Sequence, residues 1–208
     1  MDSNNNYPAA LTIDYPEKLD RFSSFFRIFF IIPILIIFGL VSGPSTSREI
    51  NEGVRYAYNA GGVIFFATVL MILFRQKYPK WWYDWNLALT KFSVRVFAYL
   101  LLLRSEYPST DEDQAVHIKI PYPDAKKDLN RFLPLVKWFL AIPHYIVLVF
   151  LYVGVVFAII IAWFVIIFTA KYPEGLFNYV VGVIRWSIRV DAYAFLLTTD
   201  KYPLFSLS

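Results

Sequence analysis

Residues 132–168 read FLPLVKWFLAIPHYIVLVFLYVGVVFAIIIAWFVIIF, with Lys137 and His144 as the two basic interruptions. As one helix, this run would extend about 55 Å at 1.5 Å per residue. The hydrocarbon core of a bilayer is about 30 Å thick. We therefore expect the run to fold back as a transmembrane hairpin, with its turn near residues 152–154.

The composition of the whole chain supports a membrane location. Hydrophobic residues make up 58% of the 208 residues, aromatic residues 20% and charged residues 17%. Soluble domains average about 45–50% apolar and about 25% charged residues. The chain has no cysteine, which excludes disulfides, thiolate nucleophiles and zinc–thiolate sites. We expect an integral membrane protein.

Two halves of the chain share position-specific motifs. Arg21-Phe22 precedes Pro33 as Arg131-Phe132 precedes Pro143, and the arginine-to-proline separation is 12 residues in both halves. Further downstream, residues 77–79 (Lys-Tyr-Pro) match residues 171–173, and residues 93–99 match residues 187–193. These matches predict two copies of one ancestral repeat.

The repeat and its apolar runs give a detailed fold prediction. We expect an all-α integral membrane protein with two parallel repeats, each a transmembrane hairpin followed by an amphipathic interfacial helix, for four transmembrane helices in total. The expected boundaries are a polar arm at 1–12, repeat 1 at 13–108 with a polar loop at 42–61 and a helix at 84–103, a linker at 109–119, and repeat 2 at 120–208 with a hairpin at 132–168 and a helix at 178–197. The spans expected in repeat 1 are residues 22–41 and 56–74.

Charge placement predicts the orientation of the hairpins. Of the 20 lysine and arginine residues, 18 lie outside the two expected hairpin tips; Arg48 and Arg55 are the exceptions. Because cytoplasmic loops carry an excess of basic residues, both termini are expected in the cytoplasm. The predicted location is the inner (cytoplasmic) membrane, with multi-pass topology.

The two amphipathic stretches each carry a narrow basic stripe. Lys91 and Arg95 lie in the first stripe, and Arg185 and Arg189 in the second. Since like charges four residues apart on a helix repel each other, we expect these groups to contact lipid phosphates or a partner. An interfacial helix is favoured, and a third span in each repeat is the alternative. Tryptophans near the expected boundaries are candidate interfacial anchors: Trp81, Trp82, Trp85, Trp138 and Trp186.

Candidate chemistry is sparse. His144 follows Pro143 near the start of an apolar run, so it is a candidate ligand or proton relay, with an interface hydrogen bond as the alternative. Asp191 stands where the first copy has Phe97, and a contact with another helix or subunit is plausible. The chain lacks paired carboxylates, a nucleophile with its base, or a metal cluster. We expect no enzyme activity, no cofactor and no metal, and no nucleic-acid binding because the basic residues follow the membrane boundary.

Three stretches of the second half carry a family resemblance: residues 130–145 (NRFLPLVKWFLAIPHY), 168–177 (FTAKYPEGLF) and 185–190 (RWSIRV). They resemble a family of uncharacterised bacterial membrane proteins that is known as a domain of unknown function. The resemblance covers nearly the whole chain, more faintly in the first half. It implies a membrane location and brings no activity or catalytic residue.

The sequence leaves two function classes open. The first is a non-catalytic membrane subunit or scaffold that joins a larger complex or assembles with itself, with the bilayer and other membrane subunits as partners. The alternative is a small homo-oligomeric channel or a lipid-handling membrane protein. The direction of Arg95 and Arg189, into a central cavity or toward phosphates and partners, distinguishes the two.

Overall fold

The computed structural model describes residues 7–42, 46–49, 55–58 and 60–208, with side chains for residues 7–39 and 65–208. Residues 1–6 of the expected arm and parts of the expected loop at 42–61 lie outside this description. The elements, in chain order, are β1 (Ala10–Ile13), α1 (Arg21–Phe25), α2 (Arg27–Phe30), α3 (Ile32–Ser42), β2 (Thr46–Glu49), β3 (Arg55–Tyr58), α4 (Ala60–Arg75), α5 (Lys80–Leu100), β4 (Val116–Lys119), α6 (Pro134–Leu140), α7 (Ile142–Thr169) and α8 (Glu174–Ala194).

The expectation of an all-α fold is wrong, because two antiparallel strand pairs accompany the helices. β1 pairs with β4 in the register Leu11↔Ile118, and β2 pairs with β3. Buried and exposed residues alternate along β1 and along β4, so one face of this pair faces the core, where β1 also contacts α8. Strands this short gave no distinct alternation signal beside the long apolar helices.

The predicted hairpin at 132–168 is also wrong. α6 ends at Leu140, and α7 then runs without interruption for 28 residues, through the expected turn. The break between the two helices lies beside Pro143, in the first turn of α7, since proline cannot continue the hydrogen bonding of a preceding helix. Gly154 marks close packing instead of a turn: a Cβ there would lie 2.3 Å from the Tyr179 hydroxyl oxygen.

Four transmembrane helices are not present among the described residues. α7 is the one described helix with the length and hydropathy to cross a membrane. α3 has 11 residues and α4 has 16, whereas a helical span needs about 17–25. The expected first span is divided at Phe26 and Ile31 into α1, α2 and α3, and Asp20 caps the first of these by accepting bonds from the main chain of Phe22 and Ser23.

The two amphipathic helices form, but they begin earlier than predicted. α5 and α8 have 21 residues each and start directly after Pro79 and Pro173. Neither qualifies as a span, so the third-span alternative is wrong. α8 is not an outward-facing interfacial helix either, because it packs against β1, α6 and α7 and many of its side chains are buried. The main core therefore surrounds α8.

An apolar cavity beside Asp191

The predicted basic stripe of α8 donates hydrogen bonds to main-chain carbonyls inside the protein. Arg185 donates from Nε to the Leu11 oxygen (3.0 Å) and from Nη1 to the Leu207 oxygen (3.1 Å). Arg189 is 1% exposed and donates to the carbonyls of Ser206 and Ser208. Burial and the neighbouring charge of Arg185 lower the pKa of Arg189, but a guanidinium remains protonated in proteins. On α8, the stripe thus fastens β1 and the C-terminal segment to the helix.

The stripe of α5 is divided between two settings. Arg95 is 7% exposed and donates from Nη1 to the Ser109 oxygen at 3.0 Å. Lys91 is half-buried and lines a shallow pocket with Arg95, Asp111 and Asp113. Carboxylates in this pocket oppose the binding of an anion. Contact with a lipid phosphate or partner stays a prediction for all four basic residues.

Two further cations lie buried at matching places in the two halves. Arg27 donates from Nη1 to the carbonyls of Tyr99 and Arg104, both at 2.6 Å, and its guanidinium lies 4.0 Å from the centre of the Tyr99 ring. Lys137 donates from Nζ to the Thr199 oxygen at 2.7 Å and lies 5.1 Å from the centre of the Tyr193 ring. Each cation thus joins an apolar helix to the end of α5 or α8.

An apolar cavity of about 340 Å³ lies between α5, α7 and α8. Most of its walls are leucine, isoleucine, valine and phenylalanine side chains. Its few polar groups are Thr90 and Ser93 from α5, Tyr152 from α7, and Ser187 and Asp191 from α8. An apolar cavity with a small number of polar groups is the usual form of a small-molecule site, for which volumes of roughly 300–1,000 Å³ are typical.

Asp191 is the charged group of this cavity. The Tyr152 and Ser187 hydroxyl oxygens are hydrogen-bonded to each other at 2.8 Å, and both residues line the cavity beside Asp191. Asp191 also lines a second apolar groove of about 410 Å³, along with Tyr145 and Phe195. Within the part of the chain that the structure describes, no hydrogen bond or ion pair reaches its carboxylate. Burial raises the pKa of Asp191 to about 6.

Asp191 lies on α8, and the three stretches on which the family resemblance rests lie within and beside α6, α7 and α8. A domain of unknown function (DUF4389) is found at residues 134–206. The predicted resemblance to a domain of unknown function is thereby confirmed for this segment, while its bacterial and membrane character stays a prediction. No curated protein and no solved structure matches the chain. The DUF4389 domain comprises α6, α7, α8 and the segment that follows, so it supplies two of the three cavity walls, and α5 supplies the third from outside the domain.

His144 belongs to the core of the DUF4389 domain. It is 0% exposed, accepts a hydrogen bond at Nδ1 from Trp186 Nε1 (3.1 Å) and stacks on the Phe205 ring at a centroid distance of 4.0 Å. Its Nε2 is buried without a hydrogen-bond partner among the described residues. The histidine therefore joins α7, α8 and the C-terminal segment. A ligand or relay role stays a prediction.

The candidate tryptophan anchors fall into two groups. Trp81, Trp85 and Trp138 are exposed, as an anchor requires. Trp82 is half-buried and donates from Nε1 to the Thr68 hydroxyl at 2.8 Å, and Trp186 is buried against His144. Sequence reasoning missed the roles of Tyr152 and Ser187 in the cavity. The signal that pointed toward it was Asp191, a carboxylate where the first half has Phe97.

Proposed function

We propose that the chain is a non-catalytic membrane protein that acts as a subunit or scaffold, in a larger complex or with copies of itself, in the cytoplasmic membrane of a bacterium. The observation that carries this proposal is the outer face of α7. Large apolar side chains are exposed along its length, among them Val149 (62%), Phe157 (62%) and Phe168 (76%). Soluble monomers rarely expose contiguous apolar patches larger than a few hundred Å².

The low burial of α7 supports lipid contact over a role as a core helix. Its most apolar 18-residue window is 22% buried. Further large apolar side chains are exposed on α1–α3, including Phe22 (63%) and Ile28 (74%). Basic residues lie at the ends of these helices, with Arg21 as the first residue of α1 and Lys171 two residues after the end of α7. Apolar surface bordered by lysine and arginine is typical of helices at membrane depth.

A site-directed labelling experiment tests the membrane contact. The chain has no cysteine, so Phe157→Cys and Lys127→Cys each introduce one attachment point for a nitroxide, and the Lys127 side chain is 83% exposed. In liposomes, we expect the label at position 157 to collide with oxygen in preference to a water-soluble nickel reagent, and the label at position 127 to show the reverse. Equal access of the nickel reagent to both positions would refute the placement of α7 in lipid.

The subunit or scaffold role has a separate test. Extraction of the native protein in mild detergent, followed by measurement of the particle mass, should give a particle heavier than the 24.3 kDa chain with its detergent. Other subunits in stoichiometric amounts would indicate a complex, and copies of the chain alone would indicate self-assembly. If cross-linking in native membranes before extraction yielded only the monomer, that result would contradict both.

We also infer that the chain contains two copies of one sequence unit. Reciprocal contacts support this inference. The Tyr15 hydroxyl donates to the Tyr172 carbonyl, and the Tyr122 hydroxyl donates to the Tyr78 carbonyl. Each repeat thus contributes the tyrosine of its first Tyr-Pro to the other repeat, Tyr15 within residues 13–108 and Tyr122 within residues 120–208. Leu11 also pairs with Ile118 in the β1–β4 register, and these two residues both lie four positions before a Tyr-Pro.

Lipid handling is the second candidate function, and the cavity beside Asp191 favours it. A membrane protein that binds an amphiphile needs an apolar space with a polar group at its border, which this cavity has. The channel alternative receives less support, because Arg95 and Arg189 donate to main-chain carbonyls instead of lining the cavity. Binding of a single-chain amphiphile by the purified protein tests the second candidate.

A further inference from the structure

We propose that the cavity between α5, α7 and α8 binds a cationic amphiphile, with its apolar chain against the three helices and its ammonium group against the Asp191 carboxylate. This inference rests on the second candidate function and specifies its ligand class. It does not depend on whether the protein also scaffolds a complex.

The shape and lining of the cavity point to an apolar chain. Its volume of about 340 Å³ suits a small ligand, and side chains such as Val155 and Ile159 from α7 and Ile184 from α8 form its walls. An apolar chain in this space would replace lipid or water contact with packing on all three helices. A rigid polar ligand would leave most of its hydrogen bonds unmade here, at a cost of about 1–3 kcal/mol per group.

The charge of the cavity points to an ammonium head. A half-buried carboxylate without a partner is unfavourable, and a cation at contact distance relieves that cost. The groups that face Asp191 from α7 are Tyr145 and Tyr152, whose hydroxyls carry no charge near neutral pH. The basic residues of α8, Arg185 and Arg189, are committed to β1 and to the C-terminal segment. The cavity therefore presents a negative charge and no resident cation among the described residues.

The hydroxyl pair completes the site for an ammonium. An alkylammonium has three N–H donors, and a carboxylate together with the Tyr152 and Ser187 oxygens offers acceptors on one side of the cavity. The α5 wall of the same cavity contains Ser93 and Phe97, which correspond in the sequence repeat to Ser187 and Asp191. Both walls have a serine at the corresponding position, whereas the carboxylate is present on α8 and is replaced by phenylalanine on α5. The negative charge therefore distinguishes the α8 wall.

Equilibrium dialysis with three probes of equal chain length tests the proposal. Octylamine, octanol and octanoate are each dialysed against the full chain in detergent, with protein-free micelles as the blank. We expect octylamine to bind at least about 10-fold more tightly than octanol, as for hydrogen bonds to a charged group. Octanoate should bind most weakly.

Variants assign the preference to the carboxylate. Asp191→Asn should bind octylamine and octanol equally, while Asp84→Asn, the same change at a carboxylate of α5 that pairs with Lys80, should keep the preference. Val156→Trp, at the 56% exposed rim of the cavity, should weaken binding of both probes.

The outcomes separate this inference from the functions on which it builds. Equal binding of octylamine and octanol by the unchanged protein would overturn the cationic ligand and leave lipid handling standing. Persistence of the octylamine preference in Asp191→Asn would overturn the assignment to this cavity. Failure of both probes to bind would remove lipid handling as well, while the nitroxide experiment on α7 would still decide the membrane contact independently.

Discussion

Replacement of Lys137 by methionine would remove a buried cation and leave its neighbours in place. The Lys137 side chain is 0% exposed, with Nζ 2.6 Å from Asp200 Oδ1 and 2.7 Å from the carbonyl oxygen of Thr199. Removal of one partner from a buried ion pair costs about 3–5 kcal/mol. Because the Asp200 side chain is 23% exposed, water can compensate in part, so we expect a loss of about 2–3 kcal/mol.

Thermal unfolding of the detergent-solubilised protein measures this loss. For a chain of this length, about 1 kcal/mol corresponds to roughly 2–4 °C in Tm, so Lys137→Met should lower Tm by about 5–10 °C. The double variant with Asp200→Asn removes the carboxylate that has lost its partner and should recover part of the decrease. A Tm within about 1 °C of the unchanged protein, or a double variant no more stable than Lys137→Met alone, would refute the reasoning.

Three further predictions follow from described contacts. Gly154→Ala should destabilise the fold by about 1–3 kcal/mol because its Cβ would meet a tyrosine hydroxyl of α8 at 2.3 Å. Gly39→Ala, whose Cβ would have no described atom within 4 Å, should instead gain up to about 1 kcal/mol, and a paired Tm comparison checks both signs. Tyr15→Phe and Tyr122→Phe should each cost about 1 kcal/mol through a lost bond to the other half, and a chemical-denaturation series showing one of them to be neutral would contradict the reciprocal arrangement. The pKa of Asp191 is raised from 3.8 to about 6, so its contribution to stability is fully present below about pH 4 and is lost as the pH rises through about 6. Asp191→Asn should therefore stabilise the protein by up to about 3 kcal/mol at about pH 8 and have little effect at about pH 4. Unfolding measured at the two pH values checks this, and a larger stabilisation at about pH 4 than at about pH 8 would disprove it.

The sequence predicted the amphipathic helices because their polar and apolar faces differ. Their predicted start positions were wrong by four residues, since helical periodicity does not show that Pro79 and Pro173 occupy the N-cap positions. The resemblance to a domain of unknown function could be predicted because it rests on motifs read directly from the chain, and a DUF4389 domain is found at residues 134–206. Asp191 was visible as an exception to the repeat, although periodicity could not reveal the cavity beside it.

The length of α7 could not be predicted from hydropathy. Its inward positions, such as Val155, Ala158 and Ala162, are buried at helical spacing, but the outward positions Phe157 and Ile161 are equally apolar. Because both faces are apolar, the sequence shows no difference in hydrophobicity between them that would distinguish one long helix packed on α8 from a hairpin of two shorter helices. The limit of about 30 Å applies to a helix that crosses the bilayer perpendicular to its plane, and a helix that lies along other parts of the protein need not obey it.

The attachment of β1 also bears on the order in which this chain folds during translation. Tyr7 donates from its hydroxyl to the carbonyls of Arg189 (3.2 Å) and Lys201 (2.9 Å), across 182 and 194 residues of chain. At about 5–20 residues per second, the first strand waits roughly 10–40 s for these partners to be synthesised. Leu11, which is 1% exposed in the finished fold, can pair with Ile118 earlier, but its carbonyl must wait for Arg185 of α8. The N-terminal segment can therefore reach its final packing only after α8 and the C-terminal segment have been synthesised.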